Sequence, residues 1–101
     1  MTIEVLYIPG CPNYEPTMER VKTVLSSEFL PDRPHSVAVT TDSEAKSLKF
    51  PGSPTVRVNG RDIEPSATTQ IGLACRVYAN GSGVPADHML RAAILWAKRE
   101  E

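Results

Sequence analysis

The chain has 101 residues, 41% of them hydrophobic and 23% charged, with a formal net charge of −1. That length fits one domain over residues 1–101 with a modest core, and leaves no room for a second. A near-neutral mixture of both signs argues against nucleic acid as the main partner, because phosphate binding needs a basic surplus, and against long disorder.

The apolar stretches are too short to span a bilayer, so no membrane partner is expected. The opening Met1-Thr2-Ile3-Glu4 lacks the basic region, apolar run and cleavage site of a leader. The expected location is therefore cytoplasmic, where a structural disulfide is unusual. Each of the two cysteines is then either buried filler or a reactive thiol. His35 and His88 stand alone and no Cys/His cluster has zinc spacing, so neither a metal nor a cofactor is expected.

Ile3-Glu4-Val5-Leu6-Tyr7-Ile8 reads as a central strand covered on both faces, ended by Pro9-Gly10. A helical pattern follows, with Tyr14, Met18, Val21 and Leu25 on one stripe and Val24 beside it. Pro16 has no N–H to donate, so it must lie in the first turn. Asn13 as N-cap places Pro16 third in the helix and Glu15 second, where its charge suits the positive end of the dipole. Cys11 then stands just ahead of a helix N-terminus.

Ser36-Val37-Ala38-Val39-Thr40 forms a second strand. Asp42 is the expected N-cap of a short helix from Ser43 to about Leu48, with Leu48 and Phe50 packing inward. Pro51-Gly52-Ser53-Pro54 breaks the chain sharply. Thr55-Val56-Arg57-Val58 and Arg61-Asp62-Ile63-Glu64 flank Asn59-Gly60, a hairpin signal because both turn positions need positive φ.

Residues 65–84 are irregular. Residues 65–69 look like loop, Ile71 to Tyr78 is an apolar segment of ambiguous type, and Asn80-Gly81-Ser82-Gly83 is glycine-rich. Pro85 suits the first position of a last helix, with Asp87 in its first turn. Met89, Ala93, Trp96 and Ala97 form its stripe, widened by Leu90 and Ile94, with Lys98 and Arg99 at the end. The resulting order is β-α-β-α-β-β-α: an α/β fold with a four-stranded mixed sheet and helices on both faces, its first two strands parallel.

That order resembles the thioredoxin-like superfamily. The residues that carry the match are Cys11-Pro12-Asn13-Tyr14 after the first strand, Ser53-Pro54-Thr55 before the third, and the hairpin at Asn59-Gly60. The resemblance implies a cis Pro54 beside an active Cys11, and an extended substrate pairing with the backbone at Ser53 and Thr55. Residues 9–13, 52–60 and 72–78 are also similar to small bacterial thioredoxin-like proteins often labelled alkylmercury-lyase-like. Organomercurial lyases themselves use paired thiols and a carboxylate but are larger chains. The sequence departs from the redox pattern Cys-x-x-Cys at its fourth position, where Tyr14 stands. Tyr14 cannot act as the resolving thiol.

A thiol is nucleophilic only as its thiolate, and a helix N-terminus favours that form. Cys11 is placed for this effect, although Pro12 offers no N–H. The plainer reading makes Cys11 a small apolar residue at a strand end. Cys75 is the candidate second thiol, which requires the fold to bring its Cα within about 4.4–6.8 Å of the Cα of Cys11 for a disulfide. Alternatively Cys75 is core filler. Arg76 could favour a thiolate. Tyr14 either offers its hydroxyl to Cys11 or a substrate, or simply opens the helix stripe.

Three functions follow. The first is a thiol-disulfide oxidoreductase working through a mixed disulfide at Cys11, resolved by Cys75 or by an external thiol such as glutathione, with a thiol or disulfide, free or on a partner protein, as substrate. The second is soft-metal or organomercurial binding by Cys11 and Cys75. The third is a non-catalytic binding module.

Overall fold

The computed structural model describes residues 1–65 and 71–101. Of the loop expected over 65–69, all but Pro65 lies outside the described residues. The elements are β1 (Ile3–Tyr7), α1 (Tyr14–Ser27), β2 (Pro34–Ala38), α2 (Asp42–Leu48), β3 (Thr55–Val58), β4 (Arg61–Asp62) and α3 (Asp87–Arg99). The protein is α/β, with three helices and one mixed sheet in the order β2-β1-β3-β4.

The apolar run of β1 takes an inner position because it has partners on both edges. It runs parallel to β2, Ile3 opposite Pro34 and Tyr7 opposite Ala38, and antiparallel to β3, Ile3 opposite Val58 and Leu6 opposite Thr55. Successive side chains on a strand alternate between faces. Ile3 and Val5 therefore pack with Met18, Val21, Val24 and Leu25 of α1 and with Leu90, Ile94 and Ala97 of α3. Leu6 points to the other face, against Val39, Ala45 of α2 and Phe50. Each fully buried Val, Leu, Ile or Phe among them contributes roughly 1.5–3 kcal/mol of transfer free energy. At the hairpin, Asn59 and Gly60 both have positive φ, 52° and 80°.

Several boundaries differ from the sequence expectation, each for a local reason. Strand β2 spans Pro34–Ala38 instead of 36–40. Proline is tolerated because β2 is an edge strand. Thr40 is drawn out of the ladder because its N–H and hydroxyl donate to the Glu44 carboxylate at 3.1 and 2.6 Å.

Thr41, not Asp42, caps α2, its hydroxyl accepting from the Glu44 N–H at 3.1 Å. Strand β4 stops at Asp62 because the Asp62 carboxylate accepts from the Glu64 N–H at 2.9 Å and turns the chain. Helix α3 begins at Asp87 after Ala86 as N-cap, so Pro85 lies outside it. The Pro85 carbonyl instead accepts from Arg20 on α1 at 3.0 Å. Trp96, expected on the inner stripe, is 60% exposed, since Leu90, Ile94 and Ala97 already fill the buried face.

Helix α1 ends without glycine. The Leu30 N–H donates to Leu25 O and the Phe29 N–H to Ser26 O, which closes the helix with Phe29 at φ 56°. Leu30 then packs against the core and Phe29 is left 93% exposed. Among the described residues no helix is long and apolar enough to cross a membrane.

Candidate functional site

Cys11 occupies a corner fixed by two turns. Its N–H donates to Ile8 O at 3.0 Å. Pro9 and Gly10, the latter at φ 87°, fill the middle of that turn. Proline followed by a positive-φ glycine is the composition a type II turn requires. The Cys11 carbonyl accepts from the Tyr14 N–H at 3.2 Å, where α1 begins. Asn13 is the N-cap, as the sequence implies, but its side chain makes no capping bond. Cys11 therefore sits two residues before the cap. Its thiol is free and half-buried.

The loop after Tyr78 closes one side of this corner. A Cβ on Gly83 would meet the Asn13 side-chain amide, which makes no capping bond, so the loop and the start of α1 lie in close contact there.

Ser53 joins the corner from the other side. Its hydroxyl accepts from the Ile8 N–H at 3.0 Å, and the Ser53–Pro54 peptide bond is cis. Ile8 thus receives Cys11 through its carbonyl and holds Ser53 through its N–H. Both backbone groups of Ser53 are taken by the chain itself. Its N–H donates to Ala74 O at 2.8 Å and its carbonyl accepts from the Arg76 N–H at 3.0 Å, forming a parallel bridge with Cys75. An extended substrate pairing with Ser53, as the sequence resemblance implies, would first have to displace residues 74–76. Thr55 is buried. Its hydroxyl donates to Gly52 O at 2.6 Å and accepts from Arg76 at 3.1 Å.

Cys75 is exposed rather than buried core filler, and its thiol is free. The residues after it are not apolar padding either. The Arg76 side chain, 6% exposed, donates to both Asp62 oxygens at 2.6 and 2.9 Å and to Glu64 O at 2.7 Å. It also lies over the Tyr78 ring, 4.4 Å from the centroid. Arg76 therefore pairs with Asp62 and not with a thiolate. Burial opposes its charge, but the Asp62 hydrogen bond and the neighbouring negative groups outweigh this and raise its pKa.

Tyr78 donates its hydroxyl to Pro54 O at 2.7 Å. Burial pushes its phenol pKa up, well beyond the usual tyrosine range, against the opposing pull of Arg76. Glu64 accepts from the Ala79 N–H with both oxygens, at 3.0 and 3.1 Å. Residues 74–79 thus form a strap clamped onto the Pro54 loop.

The strap passes so close to Gly52 that a Cβ there would meet Arg76 Cβ at 3.1 Å and Ala74 O at 3.2 Å. Sequence reasoning missed Asp62, Arg76 and Tyr78 as a unit. The available signal was one arginine inside an otherwise apolar 71–78 run, which must find an acid if that run is packed.

Tyr14 stacks on Tyr7 with ring centroids 4.0 Å apart. Its hydroxyl hydrogen-bonds the Ser36 hydroxyl on β2. That partner stands where the sequence reading offered the Cys11 sulfur. Among the described residues no three His, Cys, Asp or Glu side chains are grouped to hold a metal ion.

Fold and site together define a small α/β protein with one free thiol at the entrance to its first helix and a second on a clamped strap. No family model, curated protein or solved structure matches the chain.

Proposed function

We propose that this protein is a thioredoxin-like thiol protein that exchanges disulfides through Cys11. The observation that carries this reading is the fixed corner: a free, half-buried thiol held by its own backbone between the Ile8 turn and α1, with the Ser53–Pro54 loop tied to the same Ile8. The order β2-β1-β3-β4, with β1 parallel to β2 and antiparallel to β3, supports the likeness to that superfamily.

The Cys11 thiolate attacks one sulfur of a disulfide substrate. One S–S bond forms to Cys11, the original S–S bond breaks, and the departing sulfur leaves as a thiolate. Tyr14 supplies no second thiol four residues on, so a separate thiol must release the product. Cys75 or glutathione fills that role, with glutathione as reductant. A reducing compartment such as the cytoplasm suits this chemistry.

The test is to incubate the folded chain with glutathione disulfide and locate the adduct by peptide mass mapping. The expected result is a glutathionyl adduct on Cys11 in the Cys75→Ser variant and none at that position in Cys11→Ser. A Cys11 that stays unmodified while the unfolded chain reacts would leave only a binding module.

A further inference from the structure

We infer that Arg76 is a positioning residue, which with Asp62 and Tyr78 holds Cys75 in register beside the Cys11 corner so that Cys75 is the resolving thiol. The inference rests on the mixed-disulfide reading above.

Residues paired across a bridge project their side chains to the same side of the ladder. Cys75 is paired with Ser53. The Ser53 side chain reaches the Ile8 N–H, and the Ile8 carbonyl receives the Cys11 N–H. Cys75 therefore shares with Ser53 the side of the strap that lies toward Ile8, the residue whose carbonyl receives Cys11.

Arg76, one residue on, alternates to the opposite side. There it meets Asp62, Thr55 and the Glu64 carbonyl. Four hydrogen bonds and a stacked ring on one buried guanidinium fix the register of the residue next to it. Tyr78 repeats the anchoring two residues further, on the Pro54 carbonyl. An exposed thiol on an unanchored loop would sample many positions. This one is pinned from behind, so it samples few positions, and resolution of the Cys11 mixed disulfide is the step that this restriction would favour.

The step balances without further reagents. The Cys75 thiolate attacks the Cys11 sulfur of a Cys11–glutathione mixed disulfide. The Cys11–Cys75 bond forms, the Cys11–glutathione bond breaks, and glutathione leaves as thiolate. Two further glutathione thiols then reduce the internal disulfide and leave as glutathione disulfide.

The experiment equilibrates the chain in glutathione/glutathione disulfide mixtures and counts free thiols by alkylation and intact mass. The variants are Arg76→Lys, which keeps the charge, and the double variant Arg76→Met with Asp62→Asn, which leaves no unpaired charge. Circular dichroism confirms that each is folded. The expected result is an equilibrium constant for the Cys11–Cys75 disulfide at least tenfold below the unsubstituted protein in both variants. Glutathionylation of Cys11, measured in the Cys75→Ser background, should change less than twofold on the same substitutions.

An equilibrium constant unchanged in both Arg76 variants overturns the inference. So does an unsubstituted protein that keeps glutathione on Cys11 and never passes it to Cys75, an outcome that leaves the Cys11 reading standing. Absence of any Cys11 adduct removes that reading itself, and the inference with it.

Discussion

Ser53 and Cys75 face each other across a parallel bridge, so the residue before cis Pro54 and the second thiol of the chain share one stretch of paired backbone. Two backbone hydrogen bonds make the pairing, and the Arg76 side chain ties the strap to Asp62 behind it. Stability and site geometry therefore meet in the same few residues.

Arg76→Met alone should be among the most destabilising single changes. It strands Asp62, half-buried behind the strap, without its cation. Breaking a fully buried pair costs about 3–5 kcal/mol; Asp62 keeps contact with water and with the Glu64 N–H, so the expected loss is smaller, about 1–3 kcal/mol. Adding Asp62→Asn should restore part of the loss. Urea denaturation midpoints of the two variants check this, with the double variant unfolding at the higher concentration.

Alkaline pH should act through Tyr78. Its folded pKa is raised above the ordinary tyrosine value by burial. A raised value means that its contribution is fully present below about pH 10 and is lost as pH rises through the folded value. Urea midpoints should fall above that pH, and less so in Tyr78→Phe. In neutral solution Tyr78→Phe removes the bond to Pro54 O, at a cost of about 1–3 kcal/mol. The difference in phenolate absorbance between the two proteins should titrate above the usual tyrosine range.

The start of α2 gives an acid-side prediction. Glu44 accepts from Thr40 and Thr41, which lowers its pKa. A lowered carboxyl contributes stability above its unfolded value, about 4.3, and loses it as pH falls through the folded value. Glu44→Gln should flatten the stability profile in that acid window. Thr41→Ala removes the N-cap bond and should cost about 1 kcal/mol at neutral pH, read by thermal unfolding.

Phe29 predicts a gain. It holds φ 56° and is 93% exposed, so it bears the left-handed backbone penalty without compensating burial. That penalty is roughly 1–2 kcal/mol for a residue with a side chain, partly offset by the greater unfolded freedom of glycine. Phe29→Gly should stabilise the fold by up to about 1 kcal/mol, seen as a slightly higher urea midpoint. A fall would show that the ring stabilises something through its exposed surface.

Much of the architecture was legible because it is written in local patterns. The apolar run of β1, the alternation in β3, the Asn59-Gly60 turn and the first-turn constraint of Pro16 all act over a few residues, and each element lies within a few residues of where those patterns put it. What the patterns did not reveal depended on particular hydrogen bonds, some a few residues away and one between distant elements. Thr40 leaves β2 for Glu44, Pro85 turns to Arg20, and the end of α1 uses a phenylalanine where glycine would have signalled the stop.

The site divides in the same way. Cys11 could be placed from neighbouring residues alone. The register of Cys75 depends on the Arg76–Asp62 pair, which no local pattern reveals, and Ser53 was read as open because its partner strand is irregular backbone.

The most direct measurement is the rate of exchange of Cys11 with glutathione disulfide in the Cys75→Ser variant, folded and then unfolded in urea, at neutral pH. On the proposed reading, in which the corner at the head of α1 presents the sulfur to a disulfide, the expected result is a folded rate at least tenfold above the unfolded one. A folded rate equal to or below the unfolded rate would contradict the reactive role of Cys11.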